Sequence, residues 1–313
     1  MATNFHKILV YKNVTACFII CITSREEDHE ERGMRQGRIA GSWGNPAGVP
    51  TDAAVRTDLM ASARQHHIRC ASGEIAPWVL LPGDPARSER IGGMLDAAVR
   101  VAANREFTTY TGLWNGAPVS VTSTGIGCPS AAIAVEELIR CGAKMLVRVG
   151  TSGSMQPHVA PGDFVVATAA VRDEGTSRAY IPTEFPAVAD PEIALRLRDC
   201  AMRRGARAHL GVMHSKDSFY GQKEPDSMPI AATLKERWGA FRAGGALCSE
   251  MESSTIFVVS TVRRARAGSI CLVASSHDGA ERIGGDDLER AITTLSETAL
   301  DAAAAFIGGR QNA

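Results

Sequence analysis

Trp78-Val79-Leu80-Leu81-Pro82-Gly83-Asp84-Pro85-Ala86-Arg87 is the stretch that decides how this chain is read. Its four consecutive apolar residues are a short buried strand. The strand ends at Pro82-Gly83, where Asp84 is placed to cap a helix and Pro85 suits the first helical position. Strand, glycine turn and helix then recur along the chain. Glu106 to Leu113 and Ala117 to Thr124 flank Asn115-Gly116, a strong hairpin signal. Pro129 to Arg140 reads as a helix, Lys144 to Val149 and Asp163 to Val171 as strands, and Pro191 to Arg204 as a helix. His209 to Ser215 follows as a strand, Ser249 to Arg264 as a helix, Ser269 to Ala274 as a strand and Asp286 to Phe306 as a closing helix. Strands alternating with helices indicate an α/β architecture around a central sheet.

Residues 1–60 differ from this. Arg25 to Arg38 is a dense run of mixed charge, and Gly41 to Val55 is rich in Gly, Pro and small residues. Neither has a helical or strand period, so a disordered extension is expected there, with residues 61–313 forming one domain.

Composition narrows the function. Of 313 residues, 34 are Lys or Arg and 34 Asp or Glu, a balance that argues against holding nucleic acid by bulk charge. Aromatic residues make up only 5%, too few for evident base-stacking platforms. The eight cysteines include no C-x-x-C pair and the histidines no zinc spacing, so reduced thiols in a cytoplasmic protein are expected. The apolar stretch from Ala16 to Thr23 is too short to span a bilayer, and no membrane association is expected.

Three glycine-bearing turns follow apolar strands: Gly83-Asp84-Pro85, Thr124-Gly125-Ile126-Gly127 and Gly150-Thr151-Ser152-Gly153. Ligands of α/β sheets gather at such strand ends, where bare backbone amides reach an anion. Taken singly, each is more simply a turn. Arg148 is more telling, because it interrupts the apolar strand Met145-Leu-Val-Arg-Val149 and needs a carboxylate partner or an anion there. Arg87 and Arg105 alone would be solvated surface charges. With Gly83, Thr151 and Arg148 they suit one tetrahedral oxyanion, because guanidinium forks match phosphate oxygens. Neither a Walker lysine motif nor G-x-G-x-x-G is present, which disfavours nucleoside triphosphates and dinucleotides. In Ser249-Glu250-Met251-Glu252-Ser253 two carboxylates open an apolar helix. Either they favour the helix dipole, or Glu252 accepts from vicinal sugar hydroxyls while Glu250 braces it.

These segments, in this order, resemble the hexameric-type nucleoside phosphorylases and, among them, the uridine-cleaving branch. The likeness runs from about Gln65 to Phe306. It rests on Leu-Leu-Pro-Gly-Asp-Pro-Ala-Arg87, Asn-Arg105-Glu-Phe-Thr-Thr109 and Ser-Thr-Gly-Ile-Gly-Cys-Pro-Ser130. It continues through Val-Arg148-Val-Gly-Thr151-Ser-Gly153, Asp-Ser-Phe219-Tyr-Gly-Gln222 and Ser-Glu250-Met251-Glu252-Ser253. The resemblance implies a three-layer αβα sandwich with a central mixed sheet. It also implies reversible phosphorolysis of uridine to uracil and ribose 1-phosphate, with inorganic phosphate as co-substrate and no organic cofactor.

It assigns phosphate to Gly83, Arg87, Arg148 and Thr151, with Arg105 reaching in from a neighbouring subunit. The active unit is then a homodimer, assembled into a homohexamer. Ribose falls to Met251 and Glu252, with Glu250 in support and His67 from the neighbour; Gln65 and His66 are rivals for that last role. The base falls to Phe219 and Gln222. Glu106, Ile126 and Ser130 match a monovalent-cation site that some members build between subunits, with K+ the expected ion. One departure stands out. Where many of that branch carry an arginine after the glutamine, this chain has Gln222-Lys223-Glu224, which makes Lys223 the candidate for the base oxygen. A second departure favours a pyrimidine. Purine-cleaving relatives place an acid where this chain has Ser276, and the first acid here is Asp278. A purine phosphorylase, a non-catalytic nucleoside-binding protein and a hydrolase are the rival readings.

Overall fold

The computed structural model describes residues 64–311; the expectation of disorder over 1–60 lies outside them. The opening strand β1 spans Trp78–Leu81 and is buried at every position. Alternate side chains enter two different cores, because strand side chains alternate faces. Trp78 and Leu80 pack with one set of helices, Val79 and Leu81 with another. The first core draws on α1 (Pro85–Gly92), α3 (Pro191–Arg203) and α7 (Gly285–Gln311), the second on α2 (Cys128–Arg140) and α6 (Ser253–Val262). The result is helices on both faces of one sheet, an αβα sandwich. Asp84 caps α1 as expected, its carboxylate accepting from Ala86 N at 2.9 Å.

The remaining strands are β2 (Asp96–Asn104), β3 (Phe107–Trp114), β4 (Ala117–Thr122), β5 (Met145–Ser154), β6 (Phe164–Asp173), β7 (Ala187–Val188), β8 (Ala208–Lys216), β9 (Cys248–Glu250) and β10 (Arg266–Ser275). The sheet is mixed. β1 lies parallel to β4 and β5, and β5 to β10, whereas β2, β3 and β4 form an antiparallel meander. The β3–β4 turn places Asn115 and Gly116 at φ of 49° and 77°, the left-handed pair that a tight hairpin requires. Beyond β5 the sheet closes on itself. β5 pairs with β10, β10 with β6, β6 with β8, β8 with β9, and β9 returns to β5 through Gly153↔Ser249 and Ser154↔Cys248.

Four features differ from the sequence reading. Gly150-Thr151-Ser152-Gly153 is no turn but the continuation of β5, held by β10 and β9. Gly150 is needed there because a Cβ would stand 2.8 Å from Arg148 Nη2, whose side chain folds back over it. Cys248–Glu250 is a strand, and the helix expected from Ser249 begins only at Ser253. The strand expected from Glu106 begins at Phe107, and Arg105 and Glu106 make the two-residue turn between Asn104 and Phe107, with Arg105 at φ 54°. Two short helices and strand β2 were also unannounced: α4 (Phe219–Lys223), α5 (Ala231–Ala243) and the exposed, Ala-rich β2.

Candidate active site

Arg148, on β5, is 5% exposed and faces two carboxylates. Its Nε lies 2.6 Å from Glu250 Oε2, and Nη2 is ion-paired with Glu252 Oε2. Nη1 is buried and has no hydrogen-bond partner among the described residues. Burial works against the guanidinium, but the charges of Glu252 and Glu250 overcome it and hold Arg148 above its ordinary value.

The two glutamates differ in kind. Glu250 ends β9 and accepts from Glu252 N at 2.8 Å, from Ser253 N at 3.0 Å and from Ser215 Oγ. It thus satisfies amides at the start of α6 while pairing with Arg148. Burial would raise its carboxyl, but Arg148 and these donors keep it below the usual carboxylate range. Glu252 accepts from Gly127 N at 2.6 Å. Burial, which outweighs Arg148, and the adjacent Glu250 charge push its carboxyl up.

Arg87 is half-buried and donates from Nη1 to Val149 O at 3.2 Å, next to Arg148 in the chain. Burial first, and then the Arg148 charge, depress its pKa. Gly83 sits against the second glycine loop, where a Cβ would be 3.1 Å from Gly125 O, and Thr124 N donates to Pro82 O at 2.9 Å. Thr151 follows on β5, opposite Leu272. The structure therefore brings Gly83 and Arg87, which follow the end of β1, beside Arg148 and Thr151 within β5, with Glu250 and Glu252 on Arg148.

His67, Arg105 and Glu106 form a second cluster, with no direct hydrogen bond or ion pair among the described residues joining it to Arg148 or Glu252. Asn104 Nδ2 donates to His67 O at 2.7 Å, and the His67 ring is fixed through Nδ1, 2.7 Å from Glu137 Oε1. Glu137, buried and also accepting from the amides of His67 and Ile68, carried no signal in the sequence. His66 is exposed and stands edge-on to His67, and Gln65 is tied through its backbone to Cys70. Glu106 Oε1 accepts from Ser130 Oγ at 2.6 Å, which lowers the Glu106 pKa. Ile126 nearby is 80% exposed.

A third group lies past β8. Phe219 is half exposed, Lys223 exposed and Gln222 partly buried, with its Oε1 3.2 Å from Ser249 Oγ. Met251 is partly buried, its carbonyl accepting from Cys128 Sγ at 3.1 Å. Lys216, unremarked in the sequence, ends β8 buried and donates from Nζ to Ser249 Oγ at 2.7 Å. Burial lowers its pKa to about 8, although Glu250 pulls the other way. Its signal was available: a charged residue closing an apolar strand, the logic applied to Arg148. Asp278 is exposed and occupied by Ser276 Oγ at 2.6 Å and Ala280 N at 3.0 Å.

Residues 77–308 match the family model described as the phosphorylase superfamily. A uridine phosphorylase of Treponema pallidum is 47% identical over 237 residues, covering 74% of this chain and 92% of that protein. A guanosine phosphorylase of Halorubrum lacusprofundi is 36% identical over 241 residues, 74% of this chain and 95% of that protein. The crystal structure of uridine phosphorylase from Vibrio fischeri superposes with a TM-score of 0.68 at 32% identity, covering 77% of this chain and 95% of that one.

Proposed function

The chain belongs to the phosphorylase superfamily, and from that premise we propose that it catalyses the reversible phosphorolysis of uridine to uracil and ribose 1-phosphate. The observation that carries this reading is the unmatched Nη1 of buried Arg148 beside the depressed cation of Arg87. Two guanidiniums so placed are short of an anion, and inorganic phosphate supplies it. Gly83 and Thr151 add donors at the same strand ends, and Arg105 reaches the site from a second copy.

Glu252, braced by Glu250 and Arg148, accepts from ribose hydroxyls beside Met251, and the partner copy brings its own His67. The C1′–N1 bond breaks as the phosphate oxygen closes on C1′. The sugar gains oxocarbenium character between phosphate and Glu252, and the bond's electron pair leaves on uracil. That negative charge spreads to the ring oxygens, where Lys216, Lys223 and Gln222 supply hydrogen-bond donors while Phe219 packs on the ring. No covalent enzyme intermediate is needed. The engagement of Asp278 with Ser276 and Ala280, at an exposed position, favours uridine over a purine.

The active unit in this reading is a homodimer within a homohexamer, in the cytoplasm; no described helix is long and apolar enough to cross a membrane. Residues 61–313 act as one catalytic domain. A monovalent cation such as K+ fits Glu106, Ile126 and Ser130 by chemistry. The Ser130 hydroxyl keeps the Glu106 carboxylate anionic, and its oxygens are hard donors.

The deciding assay is base release from uridine, thymidine and inosine, each with and without inorganic phosphate. Phosphate-dependent uracil release is expected. Hypoxanthine release in its place, release without phosphate, or binding without turnover would each replace this reading.

A further inference from the structure

Ser249 Oγ is 3% exposed and stands at a junction of three polar groups: His214 Nδ1 at 3.0 Å, Lys216 Nζ at 2.7 Å and the Gln222 amide, whose Oε1 is 3.2 Å away. Behind it, buried His214 meets Asp173 Oδ2 through Nε2 at 2.9 Å, and the other oxygen of Asp173 is ion-paired with Arg237 of α5. The His214 ring is packed by Trp238 and Phe241, with centroids at 5.7 and 4.9 Å. We propose that Ser249, backed by His214 and Asp173, is a positioning residue that orients Lys216 and Gln222 so that the pocket selects an imide-edged pyrimidine over cytosine. The inference rests on the uridine reading above.

A hydroxyl has one proton to give and two lone pairs to receive with. Asp173 only accepts, so Nε2 of His214 donates to it, and in the tautomer with its proton there Nδ1 is an acceptor. Ser249 gives its proton to that nitrogen. One of its lone pairs takes the Lys216 ammonium. The other is left for Gln222, and it can bond only an N–H. The two ends of an amide exchange by a flip of the terminal torsion. With the hydroxyl proton committed to His214, the amide bonds Ser249 through Nε2, the flipped form of the Oε1 contact that stands at 3.2 Å.

Gln222 then offers the pocket Oε1 as an acceptor and one remaining amide proton as a donor, and Lys216 offers further donors. Uracil presents a carbonyl, an N–H and a second carbonyl, the complement of that set. Cytosine presents a bare ring nitrogen to the acceptor and an amino group to a donor, leaving polar groups unpaired at a cost that discriminates strongly.

The test uses the full chain, with steady-state kinetics on uridine and cytidine at varied phosphate for Ser249→Ala, Ser249→Thr and His214→Phe, the last keeping the ring packing while removing both nitrogens. Ser249→Ala and His214→Phe are expected to raise KM for uridine about tenfold or more and to narrow the uridine-to-cytidine ratio of kcat/KM, with KM for phosphate unchanged. Ser249→Thr, which retains the hydroxyl, restores both. If Ser249→Ala fails to fold, His214→Phe and Ser249→Thr decide alone. Wild-type KM and ratio in the alanine and phenylalanine variants would overturn the inference, as would an equal rise in KM for phosphate. Failure of the wild-type chain to cleave uridine would instead overturn the proposed function, a separate result from a cleaving enzyme indifferent to Ser249.

Discussion

Lys216→Met should make the protein more stable and less active at once. The fold lowers the Lys216 pKa from 10.5 to about 8 because it buries the ammonium. A difference of that size corresponds to about 3 kcal/mol of unfavourable interaction with the charged form. Between pH 8 and 10.5 the unfolded chain binds more protons than the folded one, so this penalty is fully present below pH 8 and fades as pH rises through that window. Methionine removes the charge at similar volume but forfeits the charged hydrogen bond to Ser249, worth about 2 kcal/mol. A net gain of about 1 kcal/mol at pH 7 would raise Tm by about 2–4 °C in a domain of this size. Thermal melts of both proteins at pH 7 and pH 10 should show the gap closing at the higher pH. Turnover of uridine should fall about 10–100-fold through loss of a charged donor to the leaving base. A variant that melts below wild type by the same margin at both pH values would refute the burial argument. Undiminished turnover would remove Lys216 from the base pocket.

Arg148→Met leaves Glu250 and Glu252 buried without their cation, so a loss of about 3–5 kcal/mol in chemical denaturation is expected, together with loss of phosphate-dependent turnover. Asp190→Ala removes the α3 cap, two 3.1 Å bonds from Glu192 N and Ile193 N, and the partner of Arg266; about 1–2 kcal/mol should be lost at pH 7. Although burial opposes it, Arg266 holds the Asp190 pKa down, so that contribution is present above the ordinary aspartate range and disappears in melts as pH falls through the lowered value. Glu106→Gln should abolish any difference between KCl and NaCl in activity and in the sedimentation of the assembly; a difference that persists would place the cation elsewhere.

The legible parts of the fold were those where local chemistry admits one answer. Asn115-Gly116 could take the paired left-handed conformation, and Asp84-Pro85 could only start a helix well. Strand β2 was silent because Asp96–Asn104 lies almost wholly at or near the surface, with neither an alternating pattern nor a β-branched run to mark it. Helix α5 was silent for a related reason. None of its residues is fully buried, and it is held by particular contacts, Arg237 to Asp173 and Trp238 and Phe241 to His214, which no periodicity encodes. In the site, Arg148 was legible because a charge in an apolar strand demands an explanation. The structure supplies the ion pair with Glu250 and Glu252 and leaves Nη1 unmatched. Lys216 escaped because Ser-Lys-Asp-Ser reads as a solvated turn, and its burial arises from β9 closing beside it.

That closure predicts different exchange rates for the two ends of the candidate site. Arg148, Ser215 and Glu250 lie on strands of a continuous hydrogen-bonded ring, so their amides are released only when the ring itself breaks and should exchange with deuterium at the slowest rates in the chain. The segment from α4 through α5 lies outside the ring and should exchange through local opening. In the proposed reading, nucleoside and free base enter and leave past that segment while the anion end keeps its geometry from one turnover to the next.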